Sequence, residues 1–452
     1  MAPYHYPPGP KPQRIFGNIL EFRKDQLGFV TNLQRTYGDA ATMYFFKTPA
    51  VLFTRPEAIR YVLIEHARNF INRPVFETLR LLLGDGLLSI DGEFHRQQRR
   101  MMQPAFHKQR VESYRDTMVA CAESMLEEWA PGSQRDIANE MMRVTMHIVA
   151  KALFNIDIAS QIDAIGQAFT QASEYSRRSR APFRLRLNLP FTRYGKYVRA
   201  RAFLDDTMAA LIAQHRASGE DSGDVISMLL SAQNEDGSTM TDQQVRDETL
   251  TLLAAGHATT ANTLSWTFYL LSNHPEQRDK LLDELRRVLG GRPPTVDDLA
   301  KLPYLDMVVK EAMRLYPPAW MQPRYTVDDF EYGGYRIKRG TIILMSQWVT
   351  QRLPDLWPEP DQFKPERFDP ETGQKYHPQA YFPFGAGSRI CIGMPFANLE
   401  ARILLATILQ RYVPRLAPGF PVVPQPMVTL FPKFGLQMIL EPAAKVEAMQ
   451  PA

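Results

Sequence analysis

From Asp91 to Leu315, apolar residues recur at three- and four-residue steps, the spacing that lines side chains along one face of an α-helix. The runs DIANEMMRVTMHIVAKALF and EQRDKLLDELRRVL show it most clearly. Short β-like runs lie nearer the ends: ATMYFF and AVLFT early, FEYGGYRI and TIILMS later, and MVTLF with GLQMIL last. This pattern predicts a mainly α protein with a small β-rich lobe. The helical body covers about 91–315 and 393–412, and the lobe draws on parts of about 35–60, 325–350 and 425–441. One domain, 1–452, accounts for the whole pattern.

The stretch TLTLLAAGHATTANTLSWTFYLLSNHP, 249–275, carries no Asp, Glu, Lys or Arg over a length that could cross a bilayer. Its threonines, His257, Asn262, Ser265, Asn273 and His274, and the lack of an aromatic belt at both ends, favour the buried axis of a large protein. No transmembrane anchor is expected. The start, MAPYHYPPGPKPQRIFG, has no basic segment followed by an apolar one, so no signal peptide is expected either.

Composition changes this picture little. Hydrophobic residues make up 44% and charged residues 23%, ordinary for a globular chain. A net charge of +4 does not suggest nucleic acid. The two cysteines, Cys121 and Cys391, cannot form a disulfide framework and suit a reducing, cytoplasmic setting. Cys121, within TMVACAESML, reads as a small buried apolar residue.

Cys391 sits differently, in FPFGAGSRICIG, with a long apolar helix predicted directly after it. Free N–H groups at a helix N-terminus favour a thiolate. Gly385, Gly387 and Gly393 let the backbone approach a flat object, and Arg389 offers a fork for a carboxylate. Zinc or an iron–sulfur cluster would lack further ligands here. Two readings stay open on spacing alone: a small buried apolar residue, or a lone thiolate ligand to haem.

FPFGAGSRICIG matches F-x-x-G-x-R-x-C-x-G at Phe384, Gly387, Arg389, Cys391 and Gly393. KEAMRLYPP supplies E-x-x-R as Glu311 and Arg314, FKPERF supplies Arg367, and LLAAGHATT lies upstream. By these motifs, in this order, the chain resembles the cytochrome P-450 superfamily of haem-thiolate monooxygenases, from PPGP near residue 7 to about Leu440. The resemblance implies the cytochrome P-450 fold, with haem between a distal central helix and the helix after the cysteine loop.

It also implies roles. Cys391 becomes the axial ligand to the haem iron, with Phe384 packed beside the sulfur or serving as an ordinary core residue. Gly385 and Gly393 shape the haem loop, and Arg389, His95, Arg99 and Arg324 contact the propionates. Histidine replaces the family's usual aromatic at His95, and Arg324 could equally be a solvated surface residue. Glu311, Arg314 and Arg367 form a buried structural network, where spacing alone suggests a solvated pair. Thr259 is the catalytic threonine, its hydroxyl reaching the carbonyl of Ala255 across a helix opened at Gly256 for dioxygen. Ala258 stands where many relatives have an acid, which leaves the proton relay to Thr259, water, backbone or substrate. His257 is expected to pack away from this site.

Leu88, Ala255, Ala319, Trp320 and Phe434 are the expected pocket residues. Their apolar character suits a fatty acid or terpenoid-like substrate. Arg177, Arg178, Arg180, Arg184 and Arg186 read as a solvated basic loop or a carboxylate anchor. The implied function is hydroxylation or epoxidation with haem b and dioxygen. Electrons would come from NAD(P)H through a separate reductase and a ferredoxin or flavodoxin, since no fused reductase is expected. Arg96, Arg100, Lys108 and Arg110 could steer an acidic carrier to a monomeric enzyme. Peroxygenase or haem isomerase chemistry is the sibling alternative, and a non-catalytic haem-based sensor the alternative of another class.

Overall fold

The structure is a computed structural model that describes residues 4–155, 162–178, 188–189, 191–218, 224–234, 237–373 and 375–443. A single long helix, Asp242–Asn273, runs through the helical body. Thr241 starts it: its hydroxyl accepts the N–H of Gln244, whose side chain accepts the N–H of Thr241 in return. Pro275 follows its end and opens the next helix, Pro275–Leu289.

This central helix is buried on several sides, by Leu250, Leu253, Leu264 and Phe268 among others. Most of its hydroxyls tolerate burial because they bond back one turn, Thr251 being an exception. Thr249 donates to Val245 O, Ser265 to Ala261 O and Thr267 to Thr263 O, all at 2.7 Å. Around it pack the helices Ile137–Phe154, Arg193–Ser218, Pro303–Leu315 and Met394–Leu409. No helix among the described residues is long and apolar enough to cross a membrane.

Three predicted strands join two unpredicted ones, Gln322–Thr326 and Phe70–Ile71, in a five-stranded sheet in the order Ala40–Phe45, Thr48–Phe53, Ile342–Met345, Gln322–Thr326, Phe70–Ile71. FEYGGYRI folds as a separate hairpin of Phe330–Tyr332 with Tyr335–Ile337. The first pair is an antiparallel hairpin with Ala41 opposite Leu52, and Leu52 then pairs parallel with Leu344. Alternation places Met43, Leu52 and Leu344 in one apolar cluster and Val51, Ile343 and Met345 in another. Both faces of this sheet are therefore buried.

Two expectations change. The final strand, Gln437–Pro442, does not join that lobe; it pairs with Tyr412–Leu416 and Gln134–Asp136 beside the helical body. Alternation identifies a strand without identifying its partner. Helix also begins before residue 91, at Ile19–Lys24, Gln26–Tyr37 and Arg73–Leu83.

Candidate active site

The cysteine loop is closed by a backbone bond of 2.9 Å from Cys391 N–H to Phe384 O. Gly387 takes φ +68°, and a Cβ there would fall 2.1 Å from the carbonyl oxygen of Leu63. This glycine is thus required by a neighbouring backbone. Gly385, at φ +73°, backs onto Gln322 and does not line the cleft above the loop, unlike Phe384 and Gly393. The helix Met394–Leu409 starts with Gly393 as its N-cap. Burial pushes the Cys391 thiol up; the N–H groups of Gly393 and Met394 and the charge of Arg99 pull the other way, toward thiolate. Cys391 is solvent-accessible only in the sense that its sulfur faces the cleft, deep in the protein.

His95, Arg99, Arg324 and Arg389 line that same cleft. His95 and Arg99 lie one turn apart on the helix Gly92–Met102. Arg99 donates to Ile390 O at 2.8 Å, and Arg389 donates to Ile90 O at 2.6 Å and pairs with Asp91. Arg324 is buried and, among the described residues, bonds only to Pro323 O at 2.9 Å. Burial, then the charge of Arg389, pushes Arg324 down to about 10. Burial with the charges of Arg389 and Arg99 pushes His95 down to about 4. Asp91 is already engaged by the N–H groups of Asn72 and Arg73, so one carboxylate faces an excess of cations. The cluster is short of negative charge. An iron porphyrin with two carboxylates fits that deficit, with Cys391 as its sulfur donor.

The central helix forms another wall. Thr259 Oγ1 donates to Ala255 O at 2.8 Å. The helix nevertheless stays continuous from Asp242 to Asn273, so the expected opening at Gly256 is not present. A Cβ on Gly256 would meet Val149 Cγ2 at 3.1 Å, and this glycine admits the helix Ile137–Phe154 to close contact. Ala258 also lines the cleft. His257 reaches Leu253 O through Nδ1 at 2.7 Å, and its ring centroid lies 6.2 Å from that of Phe169, but it also lines the cleft, so it does not pack away from the site as expected.

Leu88, Ala255, Ala319 and Trp320 line the cleft, a continuous space of about 3120 Å³. Phe434 does not. It is exposed at a turn where Gly435 takes φ +76°, with Lys433 Nζ 5.0 Å from its ring centroid; Phe431 lines the cleft in its place. Arg180, Arg184 and Arg186, and the side chains of Arg177 and Arg178, lie outside the described residues.

On the helix Pro303–Leu315, Arg314 donates to both oxygens of Glu311, at 2.7 and 2.8 Å. Arg367 reaches the same carboxylate at 3.3 Å, and Lys364 N–H at 2.9 Å. Arg314 also binds the carbonyls of Gln351 and Pro360, both at 2.8 Å, and sits 5.3 Å from the Trp357 ring centroid. The three charged residues are buried together.

Three acids near the site escaped the sequence reading. Asp247 accepts Asp85 N–H at 2.8 Å and Glu248 accepts Leu87 N–H at 2.9 Å, tying the loop that carries Leu88 to the central helix. Burial, with some repulsion from Asp247, pushes Glu248 up to about 8. Glu400, in the helix after the cysteine, is fully buried, and among the described residues neither oxygen has a hydrogen-bond partner within ordinary geometry; burial pushes it up to about 8, with the nearby Thr260 hydroxyl acting the other way. A lone acid within NLEARILLATIL was the available signal for Glu400. No local signal links 247 to 85.

The family model for cytochrome P-450 matches residues 7–437. The chain belongs to the cytochrome P-450 family. Among curated proteins it is 36% identical over 439 residues to cyclooctatin synthase of Streptomyces melanosporofaciens, covering 95% of this chain and 94% of that one. It is 36% identical to cyclooctat-9-en-7-ol 5-monooxygenase of the same organism (91% and 90% covered) and 34% identical to pentalenene oxygenase of Streptomyces avermitilis (94% and 94%). A cyanobacterial cytochrome P-450 structure with retinoic acid bound superposes with a TM-score of 0.88 at 27% identity, covering 98% of this chain and 100% of that one. This P-450 is accordingly a haem-thiolate monooxygenase, with the mainly helical fold expected from its sequence.

Proposed function

We propose that this P-450 is a single haem domain that oxygenates a hydrophobic, terpenoid-like molecule. In this reading it works as a cytoplasmic monomer with haem b, taking electrons from a separate ferredoxin or flavodoxin system fed by NAD(P)H. The observation that carries the reading is the cleft itself: a sulfur donor and an anion-seeking cluster of His95, Arg99, Arg324 and Arg389 share one cavity with the Thr259–Ala255 pair.

Cys391 would hold the iron and the four cationic or imidazole groups the propionates. When bound, the haem supplies dioxygen activation and oxygen transfer. Thr259 keeps a hydroxyl proton at the edge of the cleft, held toward Ala255 O. Ala258 adds no acid there, so protons must reach Thr259 through water, backbone or substrate. The Glu311–Arg314–Arg367 network would keep the cysteine loop in place. The retained hydroxyl supports dioxygen chemistry over peroxygenase, isomerase or sensor roles, which need no such group.

Leu88, Ala319, Trp320 and Phe431 present apolar surface to the substrate. The names of two relatives, pentalenene oxygenase and cyclooctat-9-en-7-ol 5-monooxygenase, favour a terpenoid-like substrate over a fatty acid. On the proposed carrier surface, Arg96 pairs with Glu93, and Lys108 with Glu112 at 3.7 Å, so steering by charge should be shallow in its salt dependence.

Optical titration of the ferric protein with terpenoids, fatty acids and aromatic polyketides tests this reading. A saturable shift to high spin with terpenoid hydrocarbons or alcohols is expected. A response to fatty acids alone would overturn the substrate class. A protein without any haem-thiolate spectrum would remove Cys391 from its role.

A further inference from the structure

Two chain turns meet where the cleft opens. In the first, Gln13 and Gly17 exchange backbone bonds of 2.9 Å in both directions, leaving Arg14, Ile15 and Phe16 at the tip. In the second, Phe46 and Lys47 cap the hairpin between Ala40–Phe45 and Thr48–Phe53. Phe46 N–H donates to Phe16 O at 3.3 Å, and the two rings lie 6.2 Å apart. Phe46 holds φ +55°, a conformation that is uncommon for a bulky side chain.

These tips are apolar and wet. Ile15 is 66% exposed, Leu20 48%, and Phe16 and Phe46 42% each. Val428, from the segment between the strands Pro424–Pro426 and Leu430–Pro432, is 62% exposed. All five also line the cleft, so they surround its mouth. Single exposed apolar residues need no explanation, but a collar drawn from three separate segments around one opening does.

The exposed charges nearby are mostly positive. Arg14, Arg23, Lys24, Lys47 and Lys433 are exposed on the same segments, and none forms an ion pair among the described residues. Two exposed carboxylates on the first of these segments, Glu21 and Asp25, are engaged in local bonds. Glu21 accepts from Gln13 and Asn18, at 3.1 and 3.4 Å, and Asp25 caps its helix through Gly28 N–H at 2.9 Å. Apolar tips rimmed by unpaired cations match the two layers of an anionic bilayer surface, acyl chains beneath phosphate.

We infer that the mouth of the cleft docks on an anionic phospholipid surface, so that a lipophilic substrate passes from the membrane into the cavity without crossing water. The docked state is peripheral. The apolar side chains reach the acyl boundary and the cations meet the headgroups. Docking does not depend on which substrate is oxidised, and it is measured without turnover.

The test is co-sedimentation of the purified, haem-loaded full chain with vesicles of phosphatidylcholine, with and without phosphatidylglycerol, at low and high salt. Binding to the anionic vesicles is expected, weakened by salt. Replacing Ile15→Asp together with Phe46→Asp should weaken it by about tenfold, as should Arg14→Glu with Lys47→Glu, with the haem spectrum retained. In the unaltered protein, hydrogen exchange should show vesicle-dependent protection over 13–24 and 44–48, which keeps the test decisive if a variant fails to fold. Absence of vesicle binding at low salt overturns the inference. So does protection confined to other segments, or binding that ignores both pairs of substitutions. A concentration-dependent dimer lost in the Ile15/Phe46 variant, without vesicle binding, would assign the collar to a second copy instead.

Discussion

Arg314 grips Glu311 through two parallel bonds, 2.7 and 2.8 Å long, in a site where neither side chain meets solvent. Such a pair is costly to desolvate and costly to break. Removing one partner leaves a buried charge, worth roughly 3–5 kcal/mol. Glu311 also accepts from Lys364 N–H and Arg367, so its loss frees four donor groups on three residues at once. Glu311→Gln and Arg314→Lys should each lower stability by about that amount and reduce haem retention. Guanidinium unfolding read beside the haem-to-protein absorbance ratio checks this. A variant with full haem content and unchanged stability would show that the network is dispensable.

Arg324 leads to the opposite sign for protein and complex. It is a buried cation without a carboxylate partner among the described residues, and its lowered pKa reports a charge held at a cost below about pH 10, hence throughout the neutral range. Arg324→Met should raise the stability of the haem-free protein, by about 1–3 kcal/mol, because an unpaired charge disappears. The same substitution should weaken haem binding, because a propionate partner is lost. Thermal melts of the haem-free form, together with haem transfer to an acceptor protein, separate the two effects. Equal destabilisation of both forms would place Arg324 in the structural scaffold alone.

These residues also show how far the sequence could be read. Cys391, Arg389, Glu311 and Arg314 lie in short motifs whose chemistry is local; Cys391 and Arg389 share the cleft, and Glu311 pairs with Arg314 elsewhere. Phe434 failed because position near a turn does not fix side-chain direction; the positive φ of Gly435 and the outward stack under Lys433 decide that. The opening at Gly256 failed because a threonine can bond back one turn without interrupting its helix, and this glycine is also explained by Val149. The link from Asp247 to Asp85 joins residues far apart in the chain, and no periodicity reports such a contact. The membrane-like composition around Thr259 forms a buried axis, as read, because several of its hydroxyls bond within the helix and Asn262 reaches Thr429.

Glu400 gives a stability profile that tilts with pH. Its folded-state pKa is pushed up to about 8 from the ordinary 4.5, so the folded protein holds a proton that the unfolded chain releases. Stability must therefore fall as pH rises through that window, with the full cost reached above about 8. For a fully buried acid the total is on the order of 3–5 kcal/mol. Glu248 is raised the same way and adds its own share. Glu400→Gln should flatten the decline and stabilise the protein at alkaline pH, with little change near pH 5. Unfolding midpoints measured across about pH 5 to 9 test it. A variant with the same slope as the natural protein would mean that Glu400 ionises freely and is not desolvated.

Ala258 and Thr259 carry the last prediction, on how tightly oxygen activation is tied to product. Thr259 offers one hydroxyl, already donating to Ala255 O at 2.8 Å, and its neighbour brings no acid. A relay with a single hydroxyl depends on water order, so some reducing equivalents should leave as peroxide. Removing the hydroxyl in Thr259→Ala should raise that fraction several-fold, since general acid–base assistance is commonly worth about 10²–10⁴ in rate. Supplying a carboxyl beside it in Ala258→Glu should shift the fraction as well, by adding a proton donor one residue away. The measurement is peroxide formed per NAD(P)H consumed at saturating substrate, with haem content equalised. If both variants match the natural ratio, neither side chain governs coupling. Protons would then arrive by way of the substrate or of water ordered elsewhere in the cleft.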